Sequence, residues 1–263
     1  MVTKMISNPR VLVIIATLGQ RTDYLELTLR SIRAQDYDSV DIVLVYPFKS
    51  IETKRLAKKY DAHSIEDPGS MSEAVNAGIR YAWDKYDYVT WIGDDDLLEP
   101  SMAKTSLTTL EHQPTASATF GHCRYIDGDG DEIFISRAGN LAPWIMTWGP
   151  NMVPLPGSMF RVSALKKLDF LFDPALKYAM DLDLFLRLRK IGPLVNVGQP
   201  VSSFRWHADS TTVANKRASL LEAEKVKRKH LGGIARTFAF LWEGPVRFAS
   251  VIASKRISKS ASK

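Results

Sequence analysis

The sequence predicts an α/β fold in which helices cover both faces of a mostly parallel β-sheet. The first observation is a set of short apolar runs typical of buried strands, at Val11–Ala16, Asp41–Tyr46 and Tyr88–Ile92. The second is that amphipathic stretches separate these runs, and strands alternating with helices form parallel sheets. The third is a capping box, Ser70 to Glu73, which predicts a helix that runs to about Lys85.

The remaining elements follow from the same signals. Asp23 and Glu26 have the spacing of a second capping box, at the start of a helix that carries Leu25 and Leu29. Pro100 is expected to open another helix. Further helices are predicted over residues 50–60, 163–168, 181–190 and from 216, and further strands over residues 63–65 and 116–125. Residues 136–156 are rich in Pro, Gly, Trp and Met, which predicts a binding loop.

Composition places the protein among soluble globular chains, with 45% hydrophobic and 24% charged residues. The single cysteine, Cys123, excludes an internal disulfide, favours a reducing compartment and is expected to be buried and inert. No stretch reaches the ~20 apolar residues of a membrane span, and the first apolar run is too short for a signal peptide. We therefore expect a cytoplasmic protein.

Positive charge is concentrated at the C-terminal end. The net charge is +6, but residues 225–263 alone carry ten Lys or Arg and one acidic residue, Glu243, which leaves −3 for residues 1–224. Aromatic and aliphatic residues are interleaved with these cations, a mixture typical of segments that lie on an anionic membrane surface. The alternative is packing against the rest of the chain or a partner subunit. Nucleic acid is not expected as a partner, because no nucleic-acid motif accompanies the charge.

Three adjacent carboxylates, Asp94 to Asp96, follow the predicted strand Tyr88–Ile92 directly. Ligands of open α/β sheets bind beyond the carboxyl ends of the strands. Neighbouring carboxylates repel one another, and a cation relieves that repulsion. Hard oxygen ligands suit Mg²⁺ or Mn²⁺, which in turn can hold a diphosphate. The alternative is a solvated acidic turn without a ligand.

Three segments together resemble the family 2 glycosyltransferases of the GT-A fold: Ala16 to Arg21, Asn76 to Ile79, and Asp94 to Asp96. The resemblance spans residues 10–212. It implies an inverting enzyme that moves a sugar from a nucleotide-sugar donor to a hydroxyl of a glycan or lipid-linked acceptor, in surface polysaccharide synthesis. It also implies a catalytic domain over residues 1–215, with a donor half at 1–112 and an acceptor half at 113–215, followed by an extension over 216–263.

The resemblance also suggests roles for individual residues. Donor contacts are expected from Thr17, Leu18, Arg21, Asp67, Asn76, Asp94, Asp95 and Arg205. The metal is expected to be bound by Asp94, Asp96 and His207, and an imidazole ligand suits Mn²⁺ better than Mg²⁺. Acceptor contacts are expected from Trp148, Gly157, Ser158 and Asp183.

Asp181 is the predicted general base. A helical wheel places it beside Leu184, Phe185 and Leu188, whereas Asp183 falls on a polar face with Arg187. A carboxylate among apolar side chains has a raised pKa and can accept the proton of an acceptor hydroxyl. The alternative is that Asp181 caps its own helix.

Two departures from the family pattern favour a rival function. Met180 stands where the family has a glutamate before the base, and Tyr46 ends a strand that usually ends in an acidic residue. The rival is a non-catalytic subunit that binds a nucleotide sugar or a glycan. A sugar nucleotidyltransferase is less favoured, because the first loop lacks the Gly-rich, basic pattern of those enzymes.

Overall fold

The computed structural model describes residues 8–47, 50–66, 69–206 and 215–248. The strands in chain order are β1 (Val11–Ala16), β2 (Val40–Tyr46), β3 (His63–Glu66), β4 (Tyr88–Ile92), β5 (Leu97–Leu98), β6 (Ala118–Ile126), β7 (Glu132–Ser136), β8 (Met159–Arg161) and β9 (Leu194–Arg205). The helices are α1 (Thr22–Arg33), α2 (Ile51–Lys59), α3 (Met71–Ala82), α4 (Met102–His112), α5 (Ala142–Trp148), α6 (Val162–Leu165), α7 (Met180–Ile191), α8 (Lys216–His230) and α9 (Gly233–Thr237). Residues 240–248 are also helical.

The described strands form a single mixed sheet in the order β3-β2-β1-β4-β8-β6-β9-β5, and β7 pairs with β6. The four strands from β3 to β4 are parallel. Strand β8 is antiparallel to both β4 and β6, and β6 is parallel to β9. The predicted α/β fold with a mostly parallel sheet is therefore confirmed, and β5, β7 and β8 are its antiparallel strands.

Two hydrophobic cores lie on the two faces of the sheet, and β1 contributes to both. Leu12 and Ile14 point to the face covered by α3 and α7, while Val13 and Ile15 point to the face covered by α1, α2 and α4. All four are fully buried, as expected for a central parallel strand. Helix α3 lies close to β1 because Gly78 faces Ile14, where an added Cβ would come within 2.5 Å of a methyl carbon.

The two predicted capping boxes have different outcomes. The box at α3 is confirmed, because Ser70 Oγ accepts a bond from the Glu73 N–H (3.3 Å) and Glu73 Oε2 accepts one from the Ser70 N–H (2.7 Å). The box at Asp23 is wrong: α1 begins at Thr22, and its N-cap residue Arg21 makes no capping bond. Glu26 instead accepts bonds from Lys59 and other side chains around α2.

The second half departs most from expectation. The predicted loop over residues 136–156 contains helix α5, whose Pro143 lies in the first turn, where the missing N–H costs no intrahelical bond. Helix α8 begins where the sequence predicts it and contacts both α7 and α5. Among the helices that the described residues form, none combines the length and apolarity needed to cross a membrane.

Candidate active site

A cleft of about 620 Å³ lies at the carboxyl ends of β1 and β4. Its first wall comes from Ala16 at the end of β1, from Arg21 in the loop after it, and from Gly93–Asp96 after β4. Its second wall comes from residues 150–156 and 177–182, the latter including the start of α7. Its third wall is formed by α8 and the helical residues that follow it. The cleft therefore joins the acidic residues and Asp181, which the sequence separates by more than 80 positions.

Residues of the first loop hold the acidic cluster by direct contacts. Thr17 Oγ1 donates to Asp94 at 2.5 Å, and the guanidinium of Arg21 donates to Asp94 at 2.6 Å and to Asp95 at 2.5 Å. Burial raises the pKa of Asp94, and the bonds from Thr17 and Arg21 partly oppose that rise. Hydrogen bonds and ion pairs thus hold the loop after β1 against the turn after β4.

Asp96 is the most enclosed carboxylate of the cluster, at 3% exposure. Its Oδ1 accepts the backbone N–H of Arg205 at 2.9 Å. Burial raises its pKa well above the ordinary range, and the charges of Asp95 and Asp94 add to that rise. A carboxylate in this position is ionised most readily when a cation lies beside it.

The acidic cluster fits a hard divalent cation by the chemistry of its donors. Asp94 and Asp96 both line the cleft and supply the carboxylate oxygens that Mg²⁺ and Mn²⁺ prefer. Within the described residues, no three His, Cys, Asp or Glu side chains are grouped around one metal position. A metal held here would therefore rely on few protein ligands, as Mg²⁺ does when it also binds substrate phosphates and water.

Asp181 faces the cleft from the second position of α7. Asn151 Nδ2 donates to its Oδ2 at 3.1 Å. Burial raises the pKa of Asp181 to about 6, while the backbone N–H groups of Leu182 and Asp181 itself act in the opposite direction. The N-cap of α7 is Ala179, so Asp181 is not the N-cap residue, although its carboxylate does interact with N–H groups of the first turn of its own helix.

The third wall was not foreseen from the sequence. Leu220, Ala223 and Lys227 of α8 line the cleft, and so does Trp242 from the helical segment beyond. Lys227 is 8% exposed and donates from Nζ to the Gly149 carbonyl at 2.5 Å. Helix α8 has little apolar periodicity and many charges, so no pattern in its sequence indicated that it lines a cleft.

Trp148, an expected acceptor contact, does line the cleft. Its ring packs edge-to-face with that of Trp242, with the ring centroids 5.3 Å apart.

Cys123 also borders the cleft, but burial raises the pKa of its thiol to about 12. The thiol therefore remains protonated at neutral pH, in agreement with the expectation of an inert buried cysteine.

Two expected donor contacts are occupied elsewhere. The Asn76 amide donates to the Phe172 carbonyl at 2.8 Å and accepts the Phe172 N–H at 2.9 Å, which ties α3 to the loop before α7. The Arg205 guanidinium is buried and donates to the carbonyls of Asp95, Asp127 and Gly128. Neither side chain lines the cleft. In this structure both residues support the site from behind, because their polar groups are already bonded to backbone.

Asp183 also takes another part than the expected acceptor contact. It is fully buried, accepts from Arg187 Nε at 2.7 Å and lies 2.8 Å from Nε2 of His230 on α8. The predicted pairing with Arg187 is thus present, but α8 covers Asp183, which is not solvated. Asp183 does not line the cleft, so its carboxylate has no access to an acceptor there.

The other expected contacts lie around the cleft or beyond the described residues. Ser158 is fully buried and donates to the Pro154 carbonyl at 2.5 Å, in a turn where Gly157 has φ +75°. This turn presents residues 154–156 to the cleft without contacting it through Gly157 or Ser158. Leu18 is 64% exposed and lies outside the lining. Asp67 and His207 lie outside the described residues.

Comparison with known proteins supports the family resemblance seen in the sequence. Glycosyl transferase family 2 matches residues 12–168, which is more than half of the chain. An uncharacterized glycosyltransferase of Rickettsia prowazekii is 23% identical over 216 residues, covering 76% of this chain and 65% of the relative. A counterpart in Rickettsia typhi is 23% identical over 210 residues with the same coverage. The chain thus spans about two-thirds of the length of these relatives.

Solved structures share the fold at low sequence identity. S. aureus TarS 1–349 in complex with UDP matches with a TM-score of 0.62 and 14% identity, covering 84% of this chain and 65% of TarS. The mannosyltransferase PcManGT from Pyrobaculum calidifontis, in complex with GDP-Man and Mn²⁺, matches with a TM-score of 0.59 and 17% identity, covering 95% of this chain and 76% of PcManGT. The chain therefore belongs to glycosyl transferase family 2 and has the GT-A fold.

Proposed function

We propose that this glycosyltransferase transfers a sugar from a nucleotide-sugar donor to a hydroxyl of a glycan or lipid-linked acceptor, with inversion, in surface polysaccharide synthesis. The observation that carries the proposal is the shared cleft, which places an acidic cluster suited to a diphosphate–metal complex on one wall and a carboxylate of raised pKa on another. The UDP in TarS and the GDP-Man in PcManGT support a nucleotide-linked donor.

The proposed donor site is the acidic wall. Asp94 and Asp96 hold the divalent ion, and Thr17, Arg21 and Asp95 keep the cluster in place. Bound there, Mn²⁺ or Mg²⁺ supplies positive charge that stabilises the departing nucleoside diphosphate. The Mn²⁺ in PcManGT supports this choice of metal. Asp67 and His207 remain candidates for the same site.

The proposed transfer is a single displacement. Asp181 accepts the proton of the acceptor hydroxyl while the hydroxyl oxygen forms a bond to the anomeric carbon of the donor. The bond from that carbon to the diphosphate oxygen breaks, and the nucleoside diphosphate leaves with the electron pair. Attack from the face opposite the leaving group inverts the anomeric configuration. Asn151 holds the Asp181 carboxylate through its 3.1 Å hydrogen bond.

The test compares wild type with Asp181→Asn. We expect transfer to fall by about 10²–10⁴-fold because the amide cannot accept the proton, while donor affinity stays within about twofold. Asp36→Asn is the control, because Asp36 forms an exposed pair with Lys104 and neither residue lines the cleft. Unchanged transfer by folded Asp181→Asn contradicts the assignment of the base. A folded wild type that binds a nucleotide sugar but never turns it over supports the binding-subunit rival, and release of pyrophosphate supports a nucleotidyltransferase.

We also propose that the C-terminal extension rests on an anionic membrane surface. Its described part leaves large apolar side chains exposed, at 81% for Ile234, 62% for Phe240 and 70% for Phe248. Trp242, Val246 and Arg247 of the same segment line the cleft, so a membrane bound there would lie next to the acceptor side. Apolar side chains flanked by Lys and Arg are typical of interfacial segments. This arrangement suits a peripheral protein on the cytoplasmic face.

The membrane proposal is tested by flotation with vesicles. Wild type should float with vesicles that contain anionic phosphatidylglycerol and much less with neutral phosphatidylcholine vesicles. Replacing Phe240 and Phe248 by Ser should abolish flotation, because the aromatic anchors are lost. Absence of flotation contradicts the proposal, and concentration-dependent self-association by the same face in light scattering assigns it to a second copy instead.

A further inference from the structure

One carboxylate of the C-terminal extension binds the backbone just before α7. Glu222 of α8 accepts the N–H groups of three consecutive residues: Lys177 at 3.1 Å through Oε1, and Tyr178 at 2.5 Å and Ala179 at 2.7 Å through Oε2. Hydrogen bonds to an ionised acceptor are roughly twice as strong as neutral ones. Both oxygens of Glu222 are therefore committed to the segment that leads into α7.

The bonds to Glu222 fix the backbone at the entry to α7. The first N–H groups of a helix have no partners within the helix, and an N-cap side chain usually supplies one. The N-cap residue of α7 is Ala179, which has no side-chain acceptor. Glu222, which belongs to another helix, accepts the N–H of Ala179 itself, two residues ahead of Asp181, and those of the two residues before it. The position of Asp181 in the cleft therefore depends on where α8 holds Glu222.

Helix α8 is itself fixed at both ends of its contact with the catalytic domain. Beyond Glu222, Lys227 donates to the Gly149 carbonyl, and His230 lies 2.8 Å from the buried Asp183. The first contact leads into the cleft wall of residues 150–156, and the second reaches the first turn of α7. A helix anchored at three points provides a rigid support for the α7 N-terminus.

We infer that Glu222 is a positioning residue for the proposed base, and that α8 is needed to place that base in the active site. The inference rests on the proposed function of Asp181. Glu222 does not line the cleft, so it acts on the reaction through the backbone of residues 177–179 and not by touching substrate.

Electrostatics provides a second consequence. After burial, which is the largest influence, the negative charge of Glu222 also raises the pKa of Asp181. The other charged side chains that line this region of the cleft are Lys177, Glu224, Lys227, Glu243 and Arg247. Removal of the Glu222 charge should therefore lower the pKa of Asp181 and move the acid limb of the pH profile to lower pH.

The test uses Glu222→Ala and Glu222→Gln in the full chain. In Glu222→Ala all three backbone donors lose their acceptor, and we expect kcat to fall about 10²-fold, the size of effect that a 1 Å misplacement of a reacting group produces. In Glu222→Gln one oxygen remains, and we expect a loss of about tenfold, the equivalent of one charge-assisted bond. Donor affinity should stay within about twofold in both, because the acidic wall is untouched.

The control and the contradicting outcomes separate this inference from the proposed function. Glu52→Gln, an exposed carboxylate paired with Arg55, should leave kcat unchanged. If Asp181→Asn abolishes transfer while Glu222→Ala keeps kcat within twofold, the positioning role is wrong and the base assignment stands. If Asp181→Asn remains active, Asp181 is not the base, and the proposed function itself is contradicted. Should Glu222→Ala not fold, an acid limb in Glu222→Gln that coincides with wild type overturns the inference.

Discussion

Replacing Asp183 by Asn tests whether this carboxylate stabilises the fold or contacts the acceptor. Asp183 is fully buried between Arg187 on its own helix and His230 on α8. Loss of one partner from a buried ion pair costs about 3–5 kcal/mol. Arg187 retains its bonds to the carbonyls of Phe170 and Leu171, and the Asn oxygen remains an acceptor. We therefore expect Asp183→Asn to lower the free energy of unfolding by about 3 kcal/mol, the lower end of that range.

The assay is urea unfolding at pH 7, supported by thermal melts. A loss of about 3 kcal/mol corresponds to a decrease in Tm of about 6–12 °C for a chain of this size. Asp36→Asn is the matched control, because Asp36 and Lys104 form an exposed pair worth at most about 1 kcal/mol. Acceptor KM should change little, since the Asp183 side chain lies outside the cleft lining.

The same variant has a signature in pH. Burial raises the pKa of Asp183, but the bonds and charges of His230 and Arg187 outweigh burial and leave the pKa lowered. A lowered native pKa stabilises the fold above the unfolded value of about 3.9, and this contribution is lost as the pH falls through the native value. The difference between wild type and variant should therefore shrink in acid. Equal stability at pH 7 together with a raised acceptor KM would refute the structural role.

Two further predictions concern the base and α3. The kcat/KM of wild type should fall about tenfold per pH unit below about 6, because protonated Asp181 cannot act as a base, and a profile that stays flat to pH 5 contradicts this. Ser70→Ala should lower the free energy of unfolding by about 1 kcal/mol through loss of its cap, measured by urea unfolding. Its control is Ser101→Ala, because the N-cap Ser101 of α4 makes no side-chain capping bond, and equal losses in both variants would contradict the assignment.

Local patterns in the sequence were sufficient for strands β1 to β4 and β6 and for the acidic wall. The run Val11–Ala16 consists of six consecutive apolar residues, which is the pattern of a central parallel strand, and in the structure it is buried on both faces. Because β4 ends at Ile92, the strand-end rule alone placed Asp94 and Asp96 in the cleft. Ser70 and Glu73 predicted the start of α3, because a capping box depends only on residues that are close together in the sequence.

Long-range contacts were beyond the reach of the sequence. Glu222 binds backbone 43–45 positions away, and no pattern in α8 indicates it. The helical wheel placed Asp183 on a polar face but could not show that α8 covers it, because a wheel does not include neighbouring helices. Asn76 and Arg205 carry polar groups that suit a donor, but partners 96 and up to 110 positions away occupy them.

The affinity of the protein for nucleotide sugars, measured by calorimetry with and without Mn²⁺, tests the central claim most directly. If Asp96 helps to hold a metal against the diphosphate, Mn²⁺ should tighten the binding of the cognate donor at least about tenfold, or about 1.4 kcal/mol, and Asp96→Asn should remove that gain. An affinity that neither Mn²⁺ nor Mg²⁺ changes for any donor, or a gain that survives in Asp96→Asn, contradicts the assignment of the acidic wall.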